Sequence, residues 1–150
     1  MPHWTITRTS RLDGKTAVVT GANSGLGFQT CRQLASHGAH VVMACRDAKR
    51  GQDALERLRA DVPEADAELR SLDLADLSSV QSFAERLDGP VQLLINNAGV
   101  MALPHRQTAD GFEMQFGTNH LGHFALTGRL LGALKAGACQ IFCVRTAVRL

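Results

Sequence analysis

The chain has 150 residues, 45% of them hydrophobic and 20% charged, which suits one buried core and excludes a disordered chain or a coiled coil. Its net charge of +2, with no basic cluster, excludes the electrostatic footprint of a nucleic-acid binder. No apolar run reaches the roughly 18 residues of a membrane span, and residues 1–15 lack an apolar secretory stretch, so a cytoplasmic protein is expected.

The first predicted strand, residues 17–20, runs into Gly21-Ala22-Asn23-Ser24-Gly25-Leu26-Gly27 and then into a helix. Gly21 permits a tight turn, Gly25 lets backbone approach a ligand without a Cβ in the way, and Gly27 allows the helix to pack closely. The new helix offers unpaired N–H groups and a positive dipole end, so this strand, turn and helix form a candidate phosphate cradle. That helix runs to about residue 37 and stops at Gly38. A second strand at 41–45 leads to a helix over about 48–60, ahead of Pro63. A third strand at 68–72 precedes a helix whose Leu77, Val80, Phe83, Ala84 and Leu87 form one apolar stripe before Gly89-Pro90. The fourth strand spans 91–96. The spacing then predicts a single helix from Asp110, with Asp110-x-x-Glu113 as a capping box, to about Leu134, and a fifth strand at 140–144.

Strands alternating with helices, several of them continuous apolar runs, predict an α/β fold with a doubly wound parallel sheet and right-handed crossovers. No linker divides the chain, so residues 1–150 are expected to form one domain, with 1–11 as an N-terminal arm. In such a sheet a ligand sits beyond the carboxyl ends of the strands, which is where the candidate residues cluster.

A dinucleotide site for NAD carries an acidic residue about 20 residues beyond the glycine loop, to hold the ribose hydroxyls. Here Cys45 occupies that position and Arg46 follows. A guanidinium can fork onto a 2′-phosphate that a carboxylate would repel, which favours NADP(H) over NAD(H). Cys31, Cys45, Cys139 and Cys143 are read as reduced, buried structural thiols rather than disulfides or metal ligands. His120 and His123 lack a third ligand nearby, so no metal site is expected.

These motifs resemble the short-chain dehydrogenase/reductase family over about residues 12–135. Residues 20–27 are similar to its cofactor loop, Asn96-Asn97-Ala98-Gly99-Val100 to the signature after the fourth strand, and Asp73-Leu74 to the adenine-side pair. More narrowly, Ala44-Cys45-Arg46-Asp47 and residues 117–124 resemble the retinol-dehydrogenase-like branch, which includes relatives of WW-domain oxidoreductases and protochlorophyllide reductases. The resemblance implies a Rossmann fold and hydride transfer between a nicotinamide and a small-molecule alcohol or carbonyl substrate. It assigns cofactor binding to Gly21, Asn23, Ser24, Gly25, Leu26, Gly27, Arg46, Asp73, Leu74, Asn97, Ala98 and Gly99. Asn119 would support a water link to a catalytic lysine.

The family's general acid/base is a tyrosine, assisted by a serine and a lysine, and this chain contains no tyrosine. Thr146 stands loosely at the serine position, and the last lysine is Lys135. Residues 139–150 fit the family less well than 12–138, so the expectation is a truncated chain with its sheet incomplete on the C-terminal side. Such a chain would be catalytically inactive and prone to self-association. The alternatives are a non-catalytic NADP-binding module and a non-functional truncated product.

Overall fold

In the first strand, Val18 and Val19 are both fully buried yet point to opposite faces, and each belongs to a different apolar core. The computed structural model describes residues 10–144. Its strands are β1 (Thr16–Thr20), β2 (His40–Cys45), β3 (Ala67–Ser71), β4 (Leu93–Asn96) and β5 (Gln140–Cys143). They form one sheet in the order β3-β2-β1-β4-β5, and every adjacent pair is parallel. Val18 lies opposite Val42 on one side and Leu94 on the other. The strand order reverses at β1 and β4, and a crevice opens there beyond the strand ends.

Helices α1 (Gly25–Ser36) and α2 (Ala48–Asp61) cover one face, where Phe28, Cys31, Leu55 and Leu58 pack with Val19, Val41 and Met43. On the other face α3 (Leu77–Glu85) packs with later helices, so that Val80, Phe83, Leu126, Leu130 and Leu134 enclose Val18, Val42 and Leu94. The doubly wound parallel sheet is therefore present as the sequence predicts. β5 lies at one edge, with Ile141 46% and Phe142 50% exposed, so the sheet is uncovered on that C-terminal side among the described residues.

Helix ends follow the local chemistry. Gly38, at φ +89°, closes α1, with its N–H donating to Ala35 O and that of Ala39 to Leu34 O. Asp47 caps α2 by accepting from Arg50 N, and Asp76 caps α3 by accepting from Ser78 and Ser79 N.

The expected single helix from Asp110 to Leu134 is not what forms. Glu113 is the cap, accepting from the N–H groups of Gln115 and Phe116, and these bonds hold its carboxyl below the usual range. Asp110 instead accepts from Leu77 N at 3.0 Å, in the first turn of α3, because that long-range donor competes with the local capping box. The helical stretch then divides into α4 (Met114–Phe116), a π-helical turn (Gly117–Leu121), α5 (Gly122–Arg129) and α6 (Leu131–Ala136). Gly122 explains part of the geometry: a Cβ there would collide with Leu74 O, so α5 lies directly on the chain leaving β3.

Candidate functional site

Four strand ends converge on one cleft, which the residues around Gly21, Arg46, Asp73 and Asn97 line. At the end of β1, Gly21 turns at φ +64°, and a Cβ added there would lie 2.9 Å from Ala98 Cα. A Cβ on Gly27 would collide with Gly21 O and Asn97 Nδ2, so α1 starts hard against the loop and the β4 end. Gly25, at φ +54°, has nothing within 4 Å of its missing Cβ and faces open space. Ser24 precedes α1 without a side-chain cap, and no acidic residue occupies the first turn. The first amides of α1 therefore keep both their hydrogen-bonding capacity and their positive dipole end for an anion.

At the end of β2, Cys45 is 2% exposed and points toward the glycine loop, where the backbone N–H groups of Ala22 and Asn23 face its sulfur. Burial nevertheless pushes its thiol up, so it stays protonated and adds no negative charge. Arg46 is exposed, lines the cleft and forms no ion pair among the described residues, whereas Arg50 Nε lies 3.8 Å from Asp47 Oδ2. At the end of β3, Asp73 Oδ1 accepts from Ala75 N at 2.9 Å, and Asp73 N donates to Ser79 Oγ at 2.9 Å. These two bonds fix the carboxylate at the cleft wall beside buried Leu74.

The end of β4 is the most tightly tied. Asn97 Nδ2 donates to Thr20 O at 2.8 Å. The N–H groups of Asn97 and Ala98 both donate to Thr20 Oγ1, each at 2.9 Å. Beyond Gly99, the backbone of Val100 is gripped twice by Asn119, whose Oδ1 accepts from Val100 N and whose Nδ2 donates to Val100 O, both at 2.8 Å. An asparagine inside a helix thus has a structural task, and it sits in the π-helical turn that departs from the regular ladder.

The cleft thus gathers Gly21, Asn23, Ser24, Leu26, Gly27, Arg46, Asp73, Leu74, Asn97, Ala98 and Gly99, with Gly25 in the same loop and Asn119 behind Val100. Thr146 lies outside the described residues. Sequence reasoning missed Thr20 and His123. His123 is 6% exposed, with Nε2 2.9 Å from Thr20 Oγ1 and Nδ1 3.0 Å from Asn119 O. Burial pushes its pKa down, against a smaller upward pull from Asn119 O. The one available signal was local: His123 follows Asn119 by four residues, one helical turn.

One expectation about side chains needs revision. Cys31 and Cys45 are buried, and burial beside Cys45 pushes the Cys31 thiol up to about 12. Cys143 is exposed and Cys139 partly so, because they lie on and beside the edge strand β5 rather than inside a covered one. All four are free thiols. His120 stacks between Phe116, at 5.3 Å, and Phe124, at 6.5 Å, while His123 is tied to Thr20. Among the described residues no cluster of three metal-ligating side chains occurs, and no helix is long and apolar enough to cross a membrane.

The sequence profile of the short chain dehydrogenase family matches residues 15–145. Retinol dehydrogenase 12 of Mus musculus is 49% identical over 131 residues, covering 85% of this chain and 42% of its own length. Retinol dehydrogenase 13 of Homo sapiens is 49% identical over 130 residues, covering 85% of this chain and 39% of its own. The chain thus spans about two-fifths of the length of these curated relatives. Among solved structures, an uncharacterised protein from Mycobacterium paratuberculosis superposes with a TM-score of 0.80 at 51% identity, covering 87% of this chain and 47% of its own. The RhlG/NADP active-site complex of Pseudomonas aeruginosa superposes with a TM-score of 0.72 at 28% identity, over 85% of this chain and 50% of that one. A metagenomic short-chain oxidoreductase in complex with NADP gives 0.75 at 28% identity, over 87% and 61%.

Proposed function

The chain belongs to the short chain dehydrogenase family, and on that premise we propose that it is the NADP(H)-binding part of an alcohol/carbonyl oxidoreductase. The observation that carries this reading is the juxtaposition, in one cleft, of an uncapped α1 N-terminus with Arg46, which forms no ion pair among the described residues. Two anionic groups of one ligand have matching partners there: a pyrophosphate at the amides of residues 25–27 and a 2′-phosphate at the guanidinium. The open space over Gly25 fits the same ligand, since a side chain there would occupy the approach to those amides. Neighbours solved with NADP support the choice of cofactor.

When bound, the cofactor supplies the hydride donor or acceptor. This chain's residues bind and orient it. Gly21, Asn23, Ser24, Gly25, Leu26 and Gly27 cradle the pyrophosphate, and Arg46 pairs with the 2′-phosphate. Asp73 accepts from the adenine amino group next to Leu74. Asn97, Ala98 and Gly99 form the small turn that leaves room for the second ribose, and Asn119 holds that turn through Val100. The chain has no tyrosine, so it lacks the family's acid/base group and is expected to bind cofactor without turning over substrate.

Fluorescence titration with NADPH and NADH tests the reading. NADPH should bind more tightly, and Arg46→Ala should narrow the gap by weakening NADPH alone. Equal affinities in the unmutated chain would refute the assignment of Arg46.

A further inference from the structure

Thr20 Oγ1 has two lone pairs and one proton, and its surroundings claim all three. The amides of Asn97 and Ala98 take both lone pairs, at 2.9 Å each, and the Asn97 amide is shared with Ile95 O at 3.0 Å. The proton then has two candidate acceptors: Ile95 O at a long 3.4 Å and His123 Nε2 at 2.9 Å. His123 decides between them. Its Nδ1 faces the carbonyl oxygen of Asn119 at 3.0 Å, and a carbonyl only accepts, so Nδ1 carries the ring proton and Nε2 presents a lone pair to Thr20. A proton on Nε2 as well would put two donors face to face and force Thr20 to give up an amide or fall back on Ile95.

The same histidine closes a ring of hydrogen bonds. From Thr20 the chain of contacts runs through the amides of Asn97 and Ala98, along the turn to Val100, across the Asn119 side chain, and back through Asn119 O to His123. We propose that His123, as a neutral imidazole with its proton on Nδ1, is the positioning residue of the 97–100 turn. It presets the amides that border the cleft by fixing which way the Thr20 hydroxyl points. It touches no reacting atom. Its effect on cofactor affinity rests on the proposed NADP(H) site, whereas its effect on the turn does not.

The side-chain analogues separate the two ring nitrogens. In His123→Gln the amide oxygen reaches the place of Nε2 and still accepts from Thr20. In His123→Asn the shorter amide reaches only the place of Nδ1, so it keeps the Asn119 bond and loses Thr20. The experiment combines nitrogen-15 NMR of the 150-residue chain with NADPH titration of the chain and both variants. The unmutated chain should show the Nδ1-protonated tautomer at neutral pH. His123→Gln should keep the Asn97 and Ala98 amide shifts and the NADPH affinity, whereas His123→Asn should move both shifts and weaken NADPH about tenfold, the equivalent of one buried hydrogen bond. An Nε2-protonated tautomer overturns the proposal, as does a glutamine variant that behaves like the asparagine one. If the unmutated chain fails to bind NADPH, the cofactor reading falls, and the tautomer and amide shifts still decide the role of His123.

Discussion

Replacing Thr20 by valine keeps nearly the same shape and removes one hydroxyl, so it isolates hydrogen bonding from packing. Thr20 is fully buried, and its hydroxyl accepts from Asn97 N and Ala98 N and lies 2.9 Å from His123 Nε2. Neutral bonds of this kind contribute about 1 kcal/mol each on balance, which gives about 3 kcal/mol for the three. The true cost depends on what happens to the deserted partners. The Asn97 amide keeps Ile95 O at 3.0 Å and the Ala98 amide belongs to a half-buried residue that can recover some hydration, whereas His123 Nε2 is enclosed and stays unpaired. A loss of about 2–4 kcal/mol follows, a large share of the 5–15 kcal/mol that holds a typical domain together. Urea unfolding read by circular dichroism measures it as a lower midpoint at unchanged slope. The slope matters, because the substitution should leave the exposed area of the unfolded chain as it was. A midpoint shift worth less than about 1 kcal/mol would refute the claim that this hydroxyl ties three elements together.

Other perturbations test other parts of the structure. Gly122→Ala should destabilise the chain by about 1–3 kcal/mol in the same assay, because its Cβ meets backbone at Leu74 O, which cannot rotate away; a neutral effect would mean that α5 can lift off the β3 end. The purified 150-residue chain should show no NADP-linked turnover of alcohols or carbonyls in a spectrophotometric assay, and robust turnover would show that a residue other than tyrosine supplies the acid/base step. Ile141 and Phe142 on the edge strand, with Val144 just beyond it, should cause concentration-dependent association in size-exclusion chromatography, and a monomer at every concentration would contradict that reading. His123 titrates below its ordinary 6.5 in the fold because burial disfavours the charged ring, so the unfolded chain binds more protons there just below that pH. Its contribution is fully present above about 6.5 and is lost as pH falls toward the folded value; thermal melts should therefore decline less steeply with acidification in His123→Gln than in the unmutated chain.

What the sequence disclosed was whatever depends on near neighbours. Alternating apolar runs predicted five strands, and β1 and α1 followed from residues 17–27 because the turn, the glycines and the helix start lie side by side. Boundaries slipped by a residue or two where burial and hydrogen bonding end at different points, as at β3, expected over 68–72 and found at Ala67–Ser71. The failures share one cause. Asp110-x-x-Glu113 satisfies a local capping rule, yet Asp110 bonds to Leu77, 33 residues away in the chain. The π-helical turn has no signature in apolar periodicity, and it coincides with the two-point grip of Asn119 on Val100, 19 residues back in the chain. His123 reads in the sequence as a packing or surface histidine rather than a metal ligand, because its decisive partner, Thr20, is 103 residues distant.

The two flanks of the cleft are built on different principles, and that separates how each will respond to change. On the β2 and β3 side, Asp73 stands at the wall on short local supports, and Arg46 beside it has no partner among the described residues to lose. Substitution there should weaken the proposed NADP(H) site and leave the fold nearly untouched, so that selectivity is adjustable at little cost in stability. On the β4 side, the turn from Asn97 to Val100 is held by Thr20 and Asn119 at once, and His123 bonds to both of them. Substitution there releases several partners together, so affinity and stability must fall together and their effects cannot add independently. A double-mutant cycle makes the distinction measurable. Arg46→Ala with Thr20→Val should be additive in NADPH binding, whereas Thr20→Val with His123→Asn should cost much less than the sum of the two in stability, because the second change removes a bond the first has already broken. Additivity in the second pair would mean that the ring of hydrogen bonds is a coincidence of distances rather than one connected unit.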